Sequence, residues 1–236
     1  MNGTAELDLV RDGTQCWRDL VATLDDAELD APTLLEGWTR RHLIAHVAFN
    51  ARALGRLTEW ARTGVEHPMY ASQEARDEEI ARGAELTGEQ LRRLDRESAE
   101  ALATGWDALP ADRWEAEVRT RQGTMIPVRQ TVWMRAREVW IHAADLDAGF
   151  GFADMPEEFL EQLFVDVVGS LRARESGRRF VVSVEGRPDL EASTSEDSSA
   201  ESLRISGPLW AVVAWASGRG GEGLASGSEV PAPTWL

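Results

Sequence analysis

Apolar residues recur at three- and four-residue intervals through most of the first 150 positions, which is the signature of amphipathic helices. Leu7, Val10, Trp17, Leu20, Val21 and Leu24 predict a helix over about 5–25. Turn residues follow, ending in Leu34-Leu35-Glu36-Gly37-Trp38, and Thr39 is a plausible N-cap for a long helix over about 40–63. Leu43, Ile44, Val47, Ala48, Ala51 and Leu54 form its apolar stripe. After a loop containing His67-Pro68, a short charged helix is predicted over about 72–82. Thr87-Gly88-Glu89-Gln90 reads as a capping box opening a helix of about 20 residues, which Pro110 closes. A short hairpin over about 114–127, turning at Gln122-Gly123, precedes a helix over about 128–147. Four substantial helices joined by short connections favour an antiparallel bundle.

The pattern changes at Gly149-Phe150-Gly151-Phe152, just ahead of Pro156, and a domain boundary is placed near 150. Beyond it, 157–173 is helical in spacing and Phe180-Val181-Val182-Ser183-Val184 is β-branched and strand-like. The acidic, serine-rich stretch 191–201 is expected to be a loop or hairpin tip. Leu203 to Ile205 suggests a second strand, and Pro208 to Ala216 a short helix. The expected architecture is therefore a helical bundle over 1–150 followed by a small α+β domain over 151–236.

Charge narrows the function classes. The formal net charge is −16, which repels phosphate backbones, so nucleic acid and anionic membranes are poor partners. No run of about 18 apolar residues is present, and no apolar signal core follows the polar N-terminus. The single cysteine, Cys16, cannot form an internal disulfide, and a cytoplasmic setting is expected. All 25 basic residues are arginine, so any anionic substrate must be held by guanidinium groups.

Histidine is scarce, with four in the chain, and the chemistry gathers around three of them. His42 and His46 are four residues apart on one predicted helix, and Glu138 and His142 are four apart on another. Side chains at i and i+4 share a helix face, so each pair can converge on one ion. Two histidines and a glutamate leave one coordination position open, as in catalytic rather than structural zinc sites. Spacing alone does not decide between His42 and His46; His46, nearer the apolar stripe, is preferred. A bland reading stands beside this one: Glu138 could be neutralised by Arg135 or Arg137. Cys16 reads as a small buried hydrophobe rather than a nucleophile, having no CxxC motif and no neighbouring histidine. Gly218-Arg219-Gly220-Gly221 lacks the lysine and hydroxyl of a P-loop and reads as a turn presenting Arg219. Arg76 is a second candidate anion contact, against the plainer reading of a solvated helix face.

The stretches Leu34-Leu35-Glu36-Gly37-Trp38-Thr39-Arg40, His42-Leu43-Ile44-Ala45-His46-Val47-Ala48, Pro68-Met69-Tyr70 and Arg137-Glu138-Val139-Trp140-Ile141-His142 resemble the mycothiol-dependent maleylpyruvate isomerases. So do Ala216-Ser217-Gly218-Arg219-Gly220 and the ending Pro231 to Leu236, while 176–203 matches weakly. The resemblance implies a DinB-like four-helix bundle followed by a small sterol-carrier-like C-terminal α+β domain. It implies zinc, or another divalent metal, on His46, Glu138 and His142, mycothiol as the thiol cofactor, and Arg219 as a catalytic residue. The implied substrate is a small dicarboxylate, maleylpyruvate, converted to fumarylpyruvate in gentisate breakdown by a monomeric enzyme with its site between the two domains. Two rivals are a mycothiol S-transferase acting on another electrophile and a zinc-binding regulatory module without turnover.

Overall fold

The computed structural model of the chain describes residues 3–174, 179–193 and 202–231. The fold is mostly helical with two small sheets, an α+β architecture that divides into two compact units, Met1–Phe150 and Gly151–Leu236.

The first unit contains α1 (Gly3–Thr23), α2 (Arg40–Thr63), α3 (Gln73–Ala84), α4 (Gly88–Asp107), a hairpin of β1 (Glu117–Arg119) and β2 (Met125–Pro127), and α5 (Gln130–Asp145). Helix α2 packs along α3, α4 and α5, and α1 packs along α5. The apolar stripe of α2 lies inside: Leu43, Ile44, Leu54 and Leu57 are fully buried, as are Leu91 of α4 and Val139 of α5. Truncating one such leucine to alanine costs about 2–5 kcal/mol, so this stripe is where the unit's stability concentrates. The Thr87 box opens α4: Gln90 N–H donates to Thr87 Oγ1 (3.3 Å) and Thr87 N–H donates to Gln90 Oε1 (3.0 Å).

Polar cross-links fix how the helices lie. At the start of α2, Arg40 donates to the carbonyls of Leu146, at 2.9 Å, and Asp147, just beyond α5. Further along, Arg135 of α5 donates to Val47 O (2.7 Å) and Asn50 Oδ1 (3.1 Å) of α2. Positions 40 with 146 and 50 with 135 pair only if the two helices run antiparallel. Gly13 lets α1 approach α5 closely. A β-carbon there would sit 2.6 Å from Trp140 Nε1, which itself donates to Leu9 O.

The second unit contains α6 (Glu157–Arg174), β3 (Arg179–Val184), β4 (Leu190–Ser193), β5 (Ser202–Gly207) and α7 (Leu209–Ala216). The sheet order is β4-β3-β5, with β3 antiparallel to β4 and parallel to β5. Phe180, Val182 and Val184 alternate inward, and Phe180 meets Trp215 of α7 edge-on at 5.5 Å. Two details differ from the sequence reading. Residues 191–193, expected in a loop, belong to β4, and β5 extends beyond 203–205 at both ends. Leu190-Glu191-Ala192-Ser193 carries little β propensity of its own and is a strand because β3 offers it a hydrogen-bonding edge. The remainder of the expected loop, 194–201, lies outside the described residues. No helix among the described residues is long and apolar enough to cross a membrane.

Candidate metal centre

The antiparallel α2–α5 pair decides which side chains meet. His42, in the first turn of α2, is taken up locally: its Nδ1 accepts the Thr39 backbone N–H (3.4 Å) and lies 2.8 Å from Thr39 Oγ1. His46, one turn on, faces α5 and is 8% exposed. There Glu138 Oε2 lies 3.0 Å from His46 Nε2 and 3.3 Å from His142 Nε2. One donor atom from each of His46, Glu138 and His142 falls within 4.8 Å of the others.

The surroundings orient each ligand atom. Asp145 is fully buried, and its Oδ2 accepts the His142 Nδ1–H at 2.8 Å, which turns Nε2 towards Glu138. Arg76 Nη2 lies 3.3 Å from His46 Nδ1. A guanidinium can only donate, so Nδ1 accepts and Nε2–H donates to Glu138. The Trp38 ring packs edge-on to the His46 ring at 5.4 Å.

Burial acts on every charge here, and the hydrogen bonds decide the outcome. Burial pulls the His46 ring below its ordinary value, more than the Glu138 bond raises it. Burial alone would raise Glu138, but hydrogen bonds from His142 and His46 hold its carboxyl well below the carboxylate range. Burial also opposes charge on His142, yet bonds to Asp145 and Glu138 push it up to about 9. In this protonation pattern His142 must lose one proton, and the His46 proton must move from Nε2 to Nδ1, before three ligand atoms are free.

The donor set fits a divalent cation. Atoms 2.0–2.1 Å from one ion at tetrahedral angles lie about 3.3 Å apart, close to the contacts made by Glu138. The two ring nitrogens and one carboxylate are the N/O chemistry of zinc and similar ions. The bland pairing of Glu138 with Arg135 is not what the structure shows, because Arg135 turns to Val47 and Asn50.

Cys16 is half-buried on α1. Arg219 belongs to the second unit, just past α7, half-buried between Gly218 and Gly220. Both glycines have positive φ (82° and 90°), and Arg219 Nη1 donates to Ser217 O at 2.6 Å. Arg76, read as a solvated helix face, instead reaches the cluster.

Two residues at the site were given no role by the sequence reading. Asp145 follows His142 by three positions, a helical spacing that could have flagged it as the histidine's partner. Tyr70, the only tyrosine, is half-buried. Burial, with the Glu138 charge nearby, pushes its phenol up to about 12, so it is a proton-bearing donor throughout the neutral range.

A mostly helical α+β protein with a half-buried His/Glu/His donor set at the crossing of two antiparallel helices is the class defined by these observations. The family model described as the mycothiol maleylpyruvate isomerase N-terminal domain matches residues 10–147. A crystal structure of the mycothiol-dependent maleylpyruvate isomerase is similar at 40% identity, covering 100% of this chain and 98% of that chain, with a TM-score of 0.92. The crystal structure of a histidine-to-alanine mutant of that isomerase matches with the same identity and coverage and a TM-score of 0.91. A search of curated protein sequences gave no match. The chain belongs to the mycothiol-dependent maleylpyruvate isomerase family.

Proposed function

We propose that this protein isomerises maleylpyruvate to fumarylpyruvate with mycothiol as the thiol cofactor, at a divalent metal held by His46, Glu138 and His142. The observation that carries the reading is the full-length likeness, at 40% identity, to a mycothiol-dependent maleylpyruvate isomerase. We assign the first unit as a DinB-like four-helix bundle built from α1, α2, α4 and α5, and the second as the sterol-carrier-like domain. We take the metal to be zinc on the N/O donor set, and place the enzyme in the cytoplasm on its single cysteine.

Isomerisation needs the cis double bond to lose its π character. A thiolate adds to the conjugated alkene, forming a C–S bond while the electron pair moves onto the carbonyl oxygen as an enolate. The new single bond rotates, the enolate pair re-forms the double bond, and the thiolate leaves, so nothing is oxidised or reduced. A bound divalent cation supplies the thiolate, since a coordinating thiol is deprotonated at neutral pH. The residues do the rest. Arg219 is the cation for a substrate carboxylate or the developing enolate. Arg76 is a second: with His46 Nε2 as a ligand, the ring proton would sit on Nδ1, which would no longer accept from Arg76 Nη2, and that edge of the guanidinium could take an anion.

The deciding assay follows conversion of maleylpyruvate by the zinc-loaded protein with and without mycothiol. Conversion with mycothiol alone is expected. Accumulation of a mycothiol conjugate in place of fumarylpyruvate would turn the reading to an S-transferase. No reaction of either kind with metal verified in place would leave a binding module.

Two further outcomes follow from the site. Asp145→Asn removes the carboxylate that orients His142, and metal affinity should fall by about 10–100-fold, since outer partners of ligating histidines are worth that much. Competition against a chromogenic chelator measures it. Affinity should also depend on pH. The His142 pKa is raised, so in the metal-free protein its stabilisation is complete below its ordinary value of 6.5 and is lost as pH rises through about 9. Metal must displace that proton, so apparent affinity should rise about tenfold per pH unit from 7 to 9 and then level off. Affinity that is flat across this range would contradict His142 as a ligand.

A further inference from the structure

Neither the three metal ligands nor the two substrate arginines account for Tyr70, the chain's single tyrosine. It lies in the connection between α2 and α3, and the residues around it are pinned. Arg56 of α2 donates through Nη1 to the carbonyl of Met69 at 2.5 Å, the buried residue just before Tyr70. Through Nη2 the same arginine donates to Glu79 Oε1 of α3 at 3.4 Å. Two residues past Tyr70, Ser72 Oγ accepts the Ala75 N–H at 3.1 Å and opens α3. Helix α3 is held closely to α2: a β-carbon at Gly83 would lie 2.7 Å from that of Ala45, the neighbour of His46. The same helix sends Arg76 to within 3.3 Å of His46 Nδ1. The charge that acts on the Tyr70 phenol most strongly is that of Glu138, ahead of Arg76, Glu79 and Arg56. The phenol therefore stands beside the cluster, on the side where α3 brings Arg76.

The hydroxyl makes no hydrogen bond to any described residue. A buried phenol O–H ordinarily finds a partner, so a half-buried one left unspent beside a ligand carboxylate is a donor open to whatever binds there. Glu138 does not take it, because its Oε2 is shared between His46 and His142. The isomerisation creates a fitting partner. When the thiolate adds to the alkene, an electron pair moves onto one carbonyl oxygen, and a donor aimed at that oxygen lowers the barrier. The planar fork of an arginine suits the two oxygens of a carboxylate. A single neutral O–H suits one enolate oxygen.

We propose that Tyr70 is a further catalytic residue, its hydroxyl donating a hydrogen bond to the enolate oxygen that forms when mycothiol adds to maleylpyruvate. The proton stays on Tyr70 throughout. The hydrogen bond strengthens as charge gathers on the oxygen and weakens as the thiolate leaves, so no atom or electron is gained or lost. The assignment rests on the isomerase reading.

Tyr70→Phe tests it, since only the hydroxyl is removed. In the zinc-loaded protein kcat should fall about 100-fold, the worth of one donor to a developing oxyanion, while metal content, melting temperature and the KM for mycothiol stay at wild-type values. Binding gives a readout without turnover. Acetylpyruvate carries the diketo acid without the cis alkene, and its enolate should bind the variant about tenfold more weakly by calorimetry, the loss of one hydrogen bond to a charged group. A wild-type protein that isomerises maleylpyruvate beside an equally fast Tyr70→Phe would defeat the proposal and leave the isomerase reading standing. A wild-type protein that isomerises nothing would defeat the reading and the proposal with it. Lower stability with unchanged turnover would assign the hydroxyl to Glu79, whose buried Oε2 also lacks a partner. Tyrosinate absorbance appearing on zinc loading, legible because the chain has one tyrosine, would make Tyr70 a metal ligand and overturn its role as donor.

Discussion

His46→Ala is expected to strip the protein of metal and of isomerase activity together. His46 supplies one of three donor atoms, and the two that remain, on Glu138 and His142, sit on a single helix. Outer partners of a ligand are worth about 10–100-fold in affinity. Losing the ligand itself exceeds that, so a fall of at least about 1000-fold is expected. The fold should persist. His46 is neutral in the metal-free protein, and its removal leaves Glu138 still paired with His142 at 3.3 Å. Metal content by mass spectrometry, circular dichroism and turnover on one preparation separate the possibilities. A folded, metal-replete and active variant would remove His46 from the site.

Arg219→Ala should behave in the opposite way, keeping its metal and losing turnover by about 100- to 1000-fold, the usual worth of a donor aimed at developing negative charge. The reason lies in local geometry. Gly218 and Gly220, both at positive φ, turn the chain sharply after α7, and the arginine's own Nη1 bond to Ser217 O holds its stem. Such a residue contributes little to the core, so its substitution should leave stability close to wild type. Arg219→Lys keeps the charge but not the planar fork, and should recover only part of the loss. If Arg219→Ala lost metal instead, the residue would belong with the ligands and not with the substrate.

Much of the fold was legible because its signals are local. The stripe Leu43, Ile44, Val47, Ala51, Leu54 and the Thr87–Gln90 box each depend on neighbours no more than four residues apart. β4 was not legible, because Leu190 to Ser193 becomes a strand only when β3 supplies its partner. Arg135 shows the same limit. Beside Glu138 in sequence it offered an ordinary ion pair as the alternative to a metal, but in the fold it turns to Val47 and Asn50.

At the metal centre the division is sharp. By itself the sequence determined two helices, each carrying a pair of candidate ligands on one face, because the i, i+4 relation is a property of the helix alone. The tertiary structure brought His46, which the apolar stripe and the resemblance already favoured over His42, to Glu138 and His142, and it alone decided that Asp145 stands behind His142 and that Arg76 reaches His46. Spacing sets the register within a helix. The rotation and offset between α2 and α5 come from side chains far apart in the chain, with Arg40 on Leu146 and Arg135 on Val47 bracketing the site.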